Sequence, residues 1–349
     1  METAKYVKPE AIRRFVVDFF GKLGMRADEA GMVADNLIDA DLRGVTTHGL
    51  TRIPLYVEKI EANLCDPGAV PEVIRDFGAT AVVDCKNCMG QVSATMAMQL
   101  AIEKAKTFGI GYVGMRNGCH YGTAGYYAMM AQRQGMIGLS TTNSGVFVAP
   151  YGGVEKRLGT NPVAVAIPAK KHLPILLDMA TSRVARGKLL VNMKKGVPVP
   201  EDWALDAQGN LTTDAAKAFA GILLPLSYKG YGMAVVIDML SGVLMGSGFG
   251  NMVDTPTNIP LVGATFMAIN TEAFCDLEEF TAHVDQLIDE IKSCRLAPDT
   301  DRIYMPGEIE FDQEAENMAR GGVPMQPFQL KELSLLAEKY GLNLDDYLS

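Results

Sequence analysis

Between residues 80 and 142 the chain alternates short apolar runs with helical patterns, and no other feature restricts its fold as strongly. Thr80–Asp84, Ile110–Arg116 and Met136–Thr142 have strand length and composition, and Gln91–Phe108 and Thr123–Gln134 between them have helix length. Strands alternating with helices imply a sheet covered by helices, an α/β architecture. Further on, Val163–Ile167 and Leu173–Asp178 are strand-like runs with no helix between them, which favours a mixed sheet over an all-parallel one. A helix from about Tyr231 to Leu244, a strand at Thr265–Ile269 and a helix at Leu277–Ser293 complete the region, and the segment Asp206–Asn210 (DAQGN) is expected to be a turn or hairpin tip.

Both ends of the chain follow a different pattern. Pro9 suits a first helical turn, and Ile12, Phe15, Val16, Phe19 and Phe20 follow at helical spacing until Gly24. A second helix from about Asp28 to Arg43 buries Val33, Leu37 and Ala40, with Gly44 as its terminator. No strand signal precedes the Pro67–Gly68 breaker. The stretch Gln326–Tyr340 is helical again and is expected to pack on the N-terminal helices. A chain of 349 residues exceeds one ordinary core. We therefore expect a helical domain from residues 1–75 and 310–349, and an α/β domain from residues 76–309.

A net charge of −9 argues against a nucleic-acid surface, which needs clustered Lys and Arg. The longest apolar stretch, Met233–Met245, is interrupted by Asp238 and is too short to span a bilayer. The N-terminus METAKYVKPEAIRRF has no apolar core of a secretion signal, and six irregularly placed cysteines do not form a disulfide framework, so a cytoplasmic location is expected.

Candidate chemistry concentrates in a few segments. In Arg43–Tyr56 (RGVTTHGLTRIPLY), His48, Arg52 and Tyr56 recur every four residues, and on a helix they would share a face, although Pro54 limits that inference to His48 and Arg52. An arginine suits a planar carboxylate because its guanidinium binds both oxygens. His120, in RNGCHYG, follows a strand in a glycine-rich loop and is a candidate general base. His172 and His283 look like surface residues. Cys85 and Cys88 form a single C-x-x-C, which could serve thiol redox or zinc chemistry but lacks the second ligand pair of a structural zinc site. No G-x-G-x-x-G fingerprint lies between a strand and a helix, and Gly246–Gly250 is better explained as a loop.

These segments line up with a known family. The stretches DLRGVTTHGLTRIPLY, RNGCHYGTAGYYA, NSGVFVAPYGG with RLGTNPVAVAIPA, LLDMATSRVARGK, YKGYGMAVVIDMLSGVLMG and YMPGE, spread in order over Lys5 to Glu310, make the chain similar to the type-2 malate/L-lactate dehydrogenases. The resemblance implies a non-Rossmann NAD(P)-binding domain with a mixed sheet, a helical domain from both chain ends, and a homodimer. It implies hydride transfer between NAD (NADP being possible) and a small 2-hydroxy or 2-oxo acid. Malate is the first expectation, with lactate, ureidoglycolate, sulfolactate and diketogulonate as the alternatives, and no metal is needed. Carried onto this sequence, it assigns His120 or His48 as the acid/base, and Thr47, Arg52, Tyr56 and Thr160 as substrate-facing. Ser144, Asp178, Met179, Ala180, Lys229, Gly230, Pro306, Gly307 and Glu308 are assigned to the cofactor.

Overall fold

A computed structural model describes residues 4–253 and 259–348. The chain runs β1 (Lys5–Val7), α1 (Pro9–Lys22), α2 (Ala27–Leu42), two 3-10 turns (Thr46–His48 and Leu50–Arg52), α3 (Ile53–Glu61), β2 (Glu72–Phe77) and β3 (Thr80–Asp84). It continues as α4 (Gly90–Phe108), β4 (Ile110–Gly118), α5 (Ala124–Gln132), β5 (Met136–Thr142), β6 (Val163–Ile167) and β7 (Ile175–Met179). Next come α6 (Arg186–Lys195), β8 (Ala204–Leu205), α7 (Ala215–Ala220), β9 (Ile222–Leu223) and α8 (Ser227–Asp238). The last elements are β10 (Val262–Asn270), α9 (Leu277–Lys292), α10 (Glu308–Ala319), β11 (Val323–Met325), α11 (Pro327–Lys339) and α12 (Asp345–Leu348).

Seven strands form a mixed sheet in the order β2-β3-β4-β10-β5-β6-β7. Strand β10 lies antiparallel between β4 and β5, while β3 and β4 are parallel and β5, β6 and β7 alternate. Hence β3, β4, β5 and β7 point the same way, and their carboxyl ends share one edge with the starts of β6 and β10. Loops leaving that edge carry His120, Ser144 and the Asp178–Ala180 segment. Ligands on open α/β sheets gather at such carboxyl edges.

The two chain ends meet. Strand β1 pairs antiparallel with β11, Asn317 Nδ2 donates to the Leu42 carbonyl at 2.8 Å, and Tyr340 and Tyr347 pack edge-on against Phe19 and Phe15. In α1, Ile12, Phe15, Val16, Phe19 and Phe20 are fully buried, as their spacing dictates. This helical layer shares a continuous apolar core with α4 and the sheet, through Leu37, Met98, Val113 and Phe266 among others. A second, smaller core of Val148, Leu189, Ala218 and Ala234 lies under α6, α7 and α8.

Several expectations change. Strand β1 does precede Pro67; it is only three residues long and has no alternation to detect. The strand expected from Leu173 begins at Ile175, after Pro174, which cannot donate to the ladder. The helix expected from Tyr231 starts at Ser227, and its end is a π turn over Met239–Val243. His48 and Arg52 do not share an α-helical face, because they occupy separate 3-10 turns on either side of Gly49, whose backbone is extended. Pro54 belongs to the first turn of α3, where a missing N–H costs nothing.

Candidate active site

Two loops remote in sequence place the histidines against each other. The ring of His120, two residues beyond β4, stacks on that of His48 with centroids 5.5 Å apart and planes 26° apart. Tyr56, buried in the second turn of α3, brings its hydroxyl to 2.8 Å from His120 Nδ1. Gln91, fully buried in the first turn of α4, donates from Nε2 to that hydroxyl at 3.0 Å. Gly122 N–H lies 3.3 Å from the same His120 nitrogen. The chain Gln91–Tyr56–His120 therefore fixes ring orientation, and Tyr56 faces the histidine.

The His48 segment is held as firmly. Thr47 Oγ1 lies 3.0 Å from His48 Nδ1, and Arg52 Nε donates to the Thr47 carbonyl at 2.6 Å. Beneath it, buried Asp41 accepts the Leu50 N–H at 2.8 Å, and burial raises its carboxyl to about 7. A side chain at Gly49 would meet that carboxyl at 2.2 Å, so only glycine lets the turn pass over Asp41.

Electrostatics follow from this packing. Burial first, and then the Arg52 guanidinium, push His48 well below the ordinary histidine range. His120 is lowered for the same two reasons, with His48 and Lys59 adding to them. Both rings keep part of their surface open and rest as neutral imidazoles at pH 7. Repulsion from Arg52 thus acts on both histidines and does not distinguish them; Tyr56, bonded to His120 alone, does. Arg52 has no carboxylate partner among the described residues. A neutral imidazole can exchange a proton with a bound anion whose carboxylate the neighbouring guanidinium holds.

The residues expected at the cofactor form a second cluster on the same sheet edge. Ser144 Oγ accepts the Thr160 N–H at 3.0 Å, and Thr181 donates from both its N–H and its hydroxyl to the Thr160 carbonyl at 2.9 Å. Thr181 in turn contacts the start of α8: its carbonyl accepts the Leu226 N–H at 2.9 Å and would lie 2.5 Å from any Cβ at Gly230. Lys229 is exposed in that first turn, over the Tyr228 ring and with no carboxylate partner among the described residues. Asp178 Oδ2 accepts the Gly125 N–H at 2.8 Å at the start of α5, and Met179 and Ala180 follow it off the sheet. Pro306 joins this edge by accepting the Leu176 N–H at 2.9 Å, and Gly307, at φ 90°, leads into α10. Glu308 is already paired with Lys292 and with the Met305 N–H. A surface cavity of about 530 Å³ borders Glu308, Lys292, Arg302 and Asp312, and none of the residues of the histidine cluster lines it.

Sequence spacing did not point to three supporting residues. Gln91 orients Tyr56. Asn143 is buried with its amide bonded to Asp238, to the Gly248 carbonyl and to the Gly263 N–H, and it fixes the loop carrying Ser144. Arg186 opens α6 beside Thr47. Of the other two histidines, His283 is exposed and His172 lies 2.8 Å from Asp289 on the surface. Cys85 and Cys88 flank a turn in which Lys86 and Asn87 have positive φ. Both thiols are buried, and burial pushes Cys88 up to about 12 and Cys85 well above its ordinary range, the reverse of what a thiolate nucleophile needs.

An α/β fold that stacks two imidazoles beside a guanidinium with no carboxylate partner among the described residues is suited to acid–base chemistry on an anion. The sequence profile of the malate/L-lactate dehydrogenases matches residues 7–334. A malate dehydrogenase of Pyrococcus horikoshii is 43% identical over 96% of this chain and 96% of its own. A ureidoglycolate dehydrogenase (NAD(+)) of Escherichia coli is 34% identical over 90% of this chain and 91% of its own. The solved sulfolactate dehydrogenase of Methanocaldococcus jannaschii superposes with a TM-score of 0.92 at 40% identity, covering 99% of this chain and 100% of that one. The chain belongs to the malate/L-lactate dehydrogenase family and is a dehydrogenase.

Proposed function

We propose that this enzyme interconverts a small 2-hydroxy acid and its 2-oxo acid with NAD, malate and oxaloacetate being the pair it turns over. The observation that carries the reading is the His48–His120 stack with Tyr56 behind it and Arg52 beside it. The similarity to an enzyme named malate dehydrogenase supports the choice of acid, and the NAD(+) in the name of the ureidoglycolate relative supports the cofactor.

The second cluster fits a dinucleotide. Its donor set has the unpaired Lys229 at the N-terminal turn of a 12-residue helix for pyrophosphate, with the Ser144 hydroxyl and the Asp178–Ala180 and Pro306–Glu308 segments around it. NAD, when bound there, supplies the hydride acceptor. The protein's residues do the rest. Arg52 holds the C1 carboxylate, which fixes the face of the carbinol carbon. His120 takes the hydroxyl proton, and its ring is held on the Nδ1 side by the Gly122 N–H and by the Tyr56 hydroxyl, which also accepts the Gln91 amide. His48 and Thr160 line the substrate. In reduction the same His120, as imidazolium, returns the proton to the forming alkoxide. A carboxylate on Arg52 cancels one of the charges that depress His120, so substrate binding itself favours proton uptake.

We test the reading by following NADH and NADPH oxidation with a panel of 2-oxo acids. Oxaloacetate with NADH is expected to give the highest kcat/KM; no turnover of any 2-oxo acid with either cofactor would remove the proposal. We also propose a homodimer. Helix α8 and the turn after it expose Tyr228, Met233, Val236, Met239, Leu240 and Val243 along one side, an apolar patch that a second copy would cover. Light scattering is expected to give the mass of two chains, and a monomer at micromolar concentration would contradict it.

A further inference from the structure

Arg186 is the first residue of α6, and the packing of that helix places it next to the histidine cluster. Its neighbour Gly187 lies so close to Thr47 that a Cβ there would meet Thr47 Cγ2 at 2.2 Å. Thr47 is the residue that touches His48 through its hydroxyl and Arg52 through its carbonyl. The Arg186 guanidinium lies between two aromatic rings, 4.3 Å from the Phe147 centroid and 4.5 Å from that of Phe219. Stacking on a ring fixes the plane of a guanidinium and leaves its N–H edge free to donate.

No carboxylate pairs with Arg186, with Arg52 or with Lys156 among the described residues. Burial and the charge of Arg52 lower Arg186, and burial and the charge of Arg186 lower Lys156, so Arg186 has a repulsive cationic neighbour in each of the other two. Folding has thus gathered positive charge that no carboxylate among the described residues neutralises. A ligand with one negative group would satisfy Arg52 and leave Arg186 uncompensated; a ligand with two would satisfy both.

We propose that Arg186 is a specificity-determining residue that binds a second acidic group on the substrate, distal to the carboxylate held by Arg52. The substrate class is then a dianionic 2-oxo acid, with a carboxylate or sulfonate at the far end, and a monoanion such as pyruvate is the poor substrate. This rests on the dehydrogenase reading above and names the substrate class of the same site. The distal group plays no part in bond making; its binding sets KM and orientation through a bidentate, planar contact.

Two measurements on wild type, Arg186→Met and Arg186→Lys test it. In steady state, wild type is expected to favour oxaloacetate over pyruvate by about 100-fold in kcat/KM or more, the scale on which a site built for a charged partner rejects its analogue. Arg186→Met should lose most of that ratio by falling on oxaloacetate while pyruvate stays within about threefold, and Arg186→Lys should recover part of it. Sulfopyruvate in the same series shows whether carboxylate or sulfonate is preferred, and either preference supports the proposal. Calorimetry with succinate and butyrate, which cannot be reduced, reads binding alone: Arg186→Met should weaken succinate about tenfold or more and leave butyrate unchanged. An equal fall for oxaloacetate and pyruvate, or succinate binding indifferent to Arg186, overturns the proposal. Absence of all turnover with succinate binding still dependent on Arg186 would instead remove the dehydrogenase reading and leave the dianion site standing.

Discussion

Replacing His120 with Asn is expected to lower kcat by about 10²–10⁴, the usual contribution of a positioned acid/base, with NADH affinity unchanged. The side chain is close in size, and the loop is held independently by the bond from the Tyr127 hydroxyl to the Tyr121 carbonyl and by the packing of Gly90 against the carbonyls of Cys119 and His120. The pH profile separates this role from a structural one. A proton acceptor must be neutral, so kcat/KM for alcohol oxidation rises with pH through the pKa of His120 in the free enzyme. Burial, Arg52, His48 and Lys59 all lower that pKa, so the rise is expected below the ordinary histidine value of about 6.5, with a plateau by neutral pH. Once a carboxylate sits on Arg52 part of that depression is lifted, and the corresponding limb of kcat is expected at higher pH than that of kcat/KM. Both limbs should vanish in His120→Asn. In His48→Asn they should persist. The opposite pattern would transfer the acid/base role to His48.

The sheet was legible because its strands are short apolar runs separated by helices long enough to show a 3.6-residue period. Strands β3 to β7 and helices α1, α2, α4, α5, α9 and α11 fall close to where the pattern put them. Elements with no period of their own were not legible. Helix α10, rich in acidic residues along its length, and the two-residue strands β8 and β9 are held by their neighbours. The site shows the same division. Residue types and loop positions singled out His48, Arg52, Tyr56 and His120 from the sequence. Their arrangement was hidden, because Tyr56 and His120 are 64 residues apart and meet only when α3 packs beside the end of β4. Four-residue spacing suggested a shared helical face, yet the local backbone is two 3-10 turns that Asp41 and Gly49 stabilise. Gln91 and Arg186 lacked any local signal, since the role of each depends on what tertiary packing places against it.

Arg52→Lys is expected to raise KM for the 2-oxo acid by about 10²-fold while the Kd for NADH stays within a factor of two, because a point charge cannot reproduce two parallel bonds worth about 1.5–3 kcal/mol each. The geometry sharpens the expectation. Arg52 Nε is committed to the Thr47 carbonyl at 2.6 Å, which leaves the two terminal nitrogens as the fork for a carboxylate. Lysine keeps the charge and loses both the fork and the brace on Thr47, whose hydroxyl contacts His48. Arg52→Leu removes the charge as well. It should bind substrate still more weakly and, because Arg52 is the charge that follows burial in lowering both histidines, move the kcat/KM limb for alcohol oxidation to higher pH. Arg52→Lys, which retains a cation, should leave that limb nearly in place. Loss of NADH affinity in parallel with substrate affinity, or a pH limb that ignores the removal of the guanidinium, would make Arg52 a scaffold for the loop. An affinity loss confined to the 2-oxo acid, with the limb moved only in Arg52→Leu, requires the guanidinium to face the substrate carboxylate and His120 at once.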